Sequence, residues 1–153
     1  MRVIEPWVEG PLKTFVAESA ARVCLVMTSS GQVVAQHGFT RSVDVMTAAA
    51  LGAGIVASTR ELAREIRAGS FGAIVHQGPK LGVYLAPFQL PKAQWVGLAV
   101  FGPDTSLGMV QFFFGRMIDD LVKCAPREEP PREVLPETFE DELNASLRTL
   151  FGR

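Results

Sequence analysis

Residues Val45 to Thr59, VMTAAALGAGIVAST, carry no charge and almost no bulk. Ala48, Ala49, Ala50, Gly52, Ala53, Gly54, Ala57 and Ser58 are all small. A surface helix ordinarily has one apolar stripe and one charged face, whereas a helix apolar all round is covered on every side. Small side chains also let another backbone come close. The segment is therefore expected to pack against its own sheet on one side and against a second chain on the other. That points to an assembly platform rather than an enzyme cleft.

The rest of the composition narrows the class. A chain of 153 residues suits one domain with a real core plus an extension. At 48% apolar and 20% charged residues the balance is that of an ordinary globular protein. The formal net charge of −1 offers no basic footprint for nucleic acid or an anionic membrane. MRVIEPWVEGPLK lacks the long apolar stretch of a signal peptide. Val45 to Thr59 is shorter than the about 20 apolar residues that a bilayer requires. A soluble, cytoplasmic protein is expected. Cys24 and Cys124 fit no metal-ligand spacing and read as free thiols of a reducing compartment.

Charge divides the chain. Residues 1–124 hold 11 Lys/Arg against 9 Asp/Glu, and residues 125–153 hold 4 against 7. Pro126, Pro130, Pro131 and Pro136 mark the junction. Proline at that density blocks helix and sheet and favours an extended spacer. The expected organisation is a domain over 1–124, a Pro-rich acidic linker over 125–136 and an amphipathic helix over 137–153.

Within the domain, Leu12, Phe15, Val16 and Ser19 fall at helical spacing after Pro11, predicting a first helix over 11–21. Residues 22–28 and 32–37 read as a hairpin around Ser29-Ser30-Gly31. Ser42 or Asp44 can cap the small-residue helix, which runs to about Ile66 and stops at Gly69. Its second half acquires Arg60, Glu61, Arg64 and Glu65, with Leu62, Ala63 and Ile66 keeping one apolar stripe. Residues 72–77, 81–86 and 94–101 are three further strands, and Asp104-Thr105-Ser106 opens a last domain helix through Lys123. The order is helix, two strands, helix, three strands, helix. This is an α+β arrangement: a five-stranded, mainly antiparallel sheet with helices against it.

No motif assembles an active site. Gly52-Ala53-Gly54-Ile55-Val56-Ala57 spells GxGxxA, but a dinucleotide loop follows a strand directly and has an acidic residue about 20 positions on. Here a helical pattern precedes it and residues 71–77 contain no Asp or Glu. His37 and His76 each lie near a strand end without a neighbouring carboxylate or cysteine, so a structural or surface role is the better reading. Asp119 and Asp120 are adjacent, and neighbouring helix residues point about 100° apart, which suits a solvated face rather than a carboxylate pair. The chain is read as a non-enzyme with no metal or cofactor.

The tail carries a second partner signal. Phe139, Leu143, Leu147, Leu150 and Phe151 recur at i, i+4, i+8, i+11 and i+12, one apolar stripe on an otherwise polar helix. Thr138 with Asp141 forms a capping pattern. A helix of about fifteen residues is marginal alone, so the stripe must cover something: its own domain, or the groove of a partner.

In this order of elements the chain resembles the roadblock/dynein light chain family, whose fold is also profilin-like. The resemblance covers residues 22–123. It rests on the hairpin around Ser30-Gly31-Gln32-Val33, the helix Ala48 to Ala57, His76-Gln77-Gly78, and Thr105-Ser106-Leu107-Gly108-Met109-Val110. Together with the acidic tail these look most like the family's bacterial regulators of a Ras-like GTPase. The resemblance implies a homodimer that pairs through the second helix and third strand, here Ala49, Gly52, Ala53, Ile55, Val56, Ile74, Val75 and His76. It implies that the helix-two face receives one small Ras-like GTPase. Such regulators accelerate hydrolysis by remodelling the GTPase's own active site, and their tail helix affects nucleotide exchange. Ala53 and Ala57 match small contact positions, while Arg60 and Glu61 stand where bacterial relatives carry small residues. Arg64 completes that charged turn. The partner-binding set expected here is Ala53, Ala57, Arg60, Glu61, Arg64 and the tail stripe Phe139, Leu143, Leu147, Leu150 and Phe151. On this reading Ala53→Arg would break the dimer or the partner site. A non-catalytic scaffold in a polarity, motility or signalling complex is the alternative, and a small-molecule sensor needs a polar-lined pocket that no motif supplies.

Overall fold

The computed structural model describes residues 5–39, 44–126 and 143–150. Elements run α1 (Pro6–Ser19), β1 (Val23–Thr28), β2 (Val33–Gly38), α2 (Val45–Glu65), β3 (Ile74–Gln77), β4 (Gly82–Gln89), β5 (Gln94–Phe101) and α3 (Leu107–Cys124). Residues 143–150 are helical. The five strands form one sheet in the order β2-β1-β5-β4-β3, with antiparallel pairing throughout.

Each face of the sheet has its own core. Alternate residues of β1 and β5 face opposite ways, as strand pleating requires. Leu25, Met27, Leu85, Val96 and Leu98 are buried beneath α2, which supplies Val45, Ala49 and Val56. Cys24, Val26, Tyr84, Phe88, Trp95, Ala99 and Phe101 face α1 and α3. There Phe114 is the hub, with edge-on rings of Phe15 at 5.8 Å, Tyr84 at 4.9 Å and Phe88 at 6.4 Å. A Cβ on Gly97 would collide with the Phe114 ring, so β5 admits that ring only where the side chain is absent.

The structure corrects three boundaries. The first helix begins at Pro6, not Pro11, because Val8 extends the buried row of Leu12, Phe15 and Ser19 by one turn and Pro6 takes the N-terminal position that proline suits. β4 runs through Pro87 to Gln89 rather than stopping at Ala86. β3 pairs with β4 only as far as Leu85, so at Pro87 one side of β4 has no neighbouring strand and the missing N–H is tolerated. The second helix leaves helical geometry before Gly69: Arg67 adopts a positive φ of 55°, and the Ala68 N–H donates to the Ala63 carbonyl at 2.9 Å. Ser42 and residues 127–142 lie outside the described residues, and with them the linker, the Thr138 cap and Phe139; Phe151 does so too. No helix among the described residues is long and apolar enough to cross a membrane.

Candidate partner-binding surface

α2 is held at both ends and pressed onto the sheet by its small residues. The Asp44 carboxylate accepts from the Thr47 N–H at 3.1 Å. That bond, with a second from the Thr47 side chain, holds the Asp44 carboxyl below its ordinary value. On the inner face, a Cβ on Gly52 would stand 3.3 Å from Leu98 and 3.4 Å from both Leu85 and Met27. The β1–β2 turn approaches from the side. Gly31, at φ +93°, brings its backbone so close that a Cβ there would lie 3.1 Å from the Ala50 Cα and 3.6 Å from the Ala53 Cβ. Larger residues at 49, 52 or 53 would lift the helix off the sheet.

The small-residue stretch is therefore two surfaces. Ala49, Gly52, Ala53 and Val56 point into the chain's own core. Leu51, Ile55, Leu62 and Ile66 are exposed on the outer side, Leu51 at 63%, while Met46 is exposed on the opposite flank of the helix. Leu62 and Ala63, which read as one stripe, are split between the two: Ala63 is buried and Leu62 exposed. Of the residues expected at a dimer contact, Ile55, Val75 and His76 are exposed and Ile74 is half-buried. Ala57, expected at a partner site, is exposed as well.

Next to this face lies an open strand. β3 is an edge, bonded to β4 alone, and an edge presents unpaired N–H and C=O groups to any second strand. With Phe71, Val75 and Leu81, the outer face of α2 and the β3 edge hold seven of the fifteen exposed large apolar side chains among the described residues. A concentration of that kind marks an interaction surface. Periodicity already contained it: Leu51, Ile55, Leu62 and Ile66 repeat at i, i+4, i+11 and i+15, a second stripe beside the small-residue one. Phe71 and Leu81 are additions that spacing alone does not link, since they lie in the chain on either side of β3.

The charged turn has internal partners. Arg60 donates from Nη2 to the Gln94 side-chain oxygen at 2.9 Å, reaching back across the start of β5. Glu61 and Arg64 form an exposed ion pair at 3.0 Å. Such a pair contributes little to stability, so both remain available to a partner. Beneath Arg60 a small cleft of about 100 Å³ is lined by Val56, Phe71, Ile74 and Pro87, among others. In the helix of residues 143–150, Leu143, Leu147 and Leu150 are exposed, leaving that part of the tail stripe uncovered.

Catalytic candidates do not converge. Among the described residues no group of three or more His, Cys, Asp or Glu is placed to hold a metal ion. Asp119 is exposed and Asp120 half-buried on α3. Cys24 is fully buried, and burial pushes its thiol far above the ordinary range; it donates to the Met117 sulfur at 3.9 Å, while Cys124 is exposed. A protonated, enclosed thiol is no nucleophile.

Comparison with known proteins agrees with this architecture. The Roadblock/LC7 domain model matches residues 11–89. No curated protein matches significantly. Among solved structures, Myxococcus xanthus MglB is 27% identical with a TM-score of 0.69, over 76% of this chain and 92% of that one. The gliding protein MglB from Thermus thermophilus is 25% identical with a TM-score of 0.68, over 82% and 93%. A further MglB structure, described as having a tetrameric arrangement, is 24% identical with a TM-score of 0.70 over 82% and 92%.

Proposed function

Since the chain belongs to the Roadblock/LC7 domain family, we propose that it is a homodimeric regulator of a small Ras-like GTPase, with no active site of its own. The observation that carries this reading is the joining of the apolar outer face of α2 to the open edge of β3. Two copies related by a twofold axis would pair β3 with β3, extending the sheet across both chains, and lay α2 against α2. The Arg60-Glu61-Arg64 turn at the end of that helix is then repeated on one side of the dimer, where a charged partner surface would be selected. Likeness to MglB and the tail stripe support a GTPase as that partner, activated or assisted in exchange by reshaping its own catalytic loops.

The test is direct. The purified protein is mixed with a small Ras-like GTPase from the same cell, and phosphate release and complex formation are followed. Faster release with a stable complex is the expected result. No complex and no change in rate would overturn the reading. The scaffold alternative draws on Arg60 and Glu61, charged where the family resemblance implies small residues. A stable complex whose hydrolysis and exchange rates both stay unchanged would select it.

A further inference from the structure

A larger cleft opens where the end of β5, the start of α3 and the β3–β4 connection meet. It spans about 650 Å³, a size that suits a small molecule. Leu81, Phe101, Pro103 and Leu107 supply apolar wall, while Arg22 and Lys80 supply two positive charges. No aspartate or glutamate lines it; Asp104, exposed in the neighbouring loop, lies outside it. Neither cation's side chain has a hydrogen bond or an ion pair among the described residues. Uncompensated cations in a concave site draw anions toward it.

Arg22 is held in place for this role. Its N–H donates to the Val100 carbonyl at 2.8 Å, and its carbonyl accepts from the Phe39 N–H at 2.8 Å. Its guanidinium lies over Gly102, where a Cβ would stand 2.6 Å from Nη2 and 2.8 Å from Cζ and Nε. Gly102 has no positive φ, so its backbone would admit alanine. What the missing side chain makes room for is the guanidinium. That planar fork matches two oxygens of one anionic group, and Lys80 adds a point charge from the turn after Gly78-Pro79. Gly78-Pro79-Lys80 lacks the spacing of a phosphate loop, and Arg22 comes from a distant part of the chain, so no motif announces the pair.

We infer that this cleft binds a small molecule that carries a phosphate monoester beside an apolar group. Two cations match a dianion: a phosphate monoester bears about −1.5 to −2 at neutral pH, whereas a carboxylate bears a single charge. The apolar wall of Leu81, Phe101 and Leu107 takes the rest of the molecule. The start of α3 borders the cleft and its dipole favours the same sign of ligand, but selection for a dianion rests on the two side chains. Gln77 ends β3, so the cleft adjoins the open strand edge, while Ile74, Val75 and His76 do not line it. The inference is independent of the GTPase reading.

Phenyl phosphate, inorganic phosphate and benzoate are titrated into the full-length protein by isothermal calorimetry. Phenyl phosphate is expected to bind saturably. It should bind more tightly than inorganic phosphate, which lacks the apolar part, and more tightly than benzoate, which lacks the second charge. Arg22→Gln and Lys80→Gln should each weaken it about tenfold. Gly102→Ala keeps every charge and should also weaken it, by displacing the guanidinium. Thermal melts check the fold of each variant; Lys80 is exposed on a turn, so Lys80→Gln keeps the test open even where Arg22→Gln does not fold. No saturable binding, or a Lys80→Gln variant that binds as tightly as the native protein, would overturn the inference. Benzoate binding as tightly as phenyl phosphate would overturn the assignment to a phosphate, and equal affinity for inorganic phosphate would overturn the apolar part of it.

Discussion

At Ala53 a methyl group is all that fits. The side chain is 6% exposed, beneath α2 and beside the Gly31 turn. Sequence alone assigns this position to a contact between chains, where an arginine would block assembly. The structure moves the consequence to folding, because the long side chain would have to enter the chain's own core. Overpacking and an unpaired buried charge together cost about 3 kcal/mol or more. Ala53→Arg is therefore expected to lower the melting temperature by about 10 °C, followed by circular dichroism. A wild-type melt accompanied by loss of association would return Ala53 to the interface. The residue-scale lesson concerns direction: composition identifies a small residue, but only the position of the sheet decides which side of the helix it serves.

For the elements, most of the architecture is legible in the sequence because period and punctuation agree. β5 is expected at residues 94–101 and is found there, since an apolar run sits between Gln94 and the Gly102-Pro103 break. Ser106 caps α3 as its side chain predicts, accepting from the Met109 N–H at 3.2 Å. The failures have physical causes. Pro11 resembles a helix start but lies inside α1, because the row begun by Val8 outweighs one lost hydrogen bond. Pro87 looks like a strand break, yet strand order leaves it beside no neighbour on one side, a fact that no local pattern contains. α2 is recognisable as apolar on all sides, but two interleaved stripes cannot be told apart without knowing which one meets the sheet. That distinction yields a prediction for the outer stripe. Leu51→Arg places a charge at an exposed position and disturbs no core contact, so helical signal should persist at about 25 °C, well below the melting range of an ordinary domain. Sedimentation velocity should show the chain shifted from dimer to monomer. A dimer of unchanged stability would place the interface elsewhere.

For the whole molecule, we propose a division into a domain and a tail on the strength of charge, proline and the position of the core. The last buried side chain among the described residues is Leu121, and both hydrophobic clusters are closed by α1, α2, α3 and the sheet. Leu143, Leu147 and Leu150 are exposed. Area burial is the principal favourable term in folding, so residues 143–150, whose leucines stay exposed, add little to the stability of the domain. A chain ending after Pro126 should consequently melt within about 3 °C of the full-length protein, a displacement of less than about 1 kcal/mol. The same truncation removes the whole apolar stripe, so its loss belongs to recognition: any contribution of the tail to partner binding disappears. A cooperative loss of structure on truncation would mean that the tail is part of the core, and the division of the chain at the prolines would have to be abandoned.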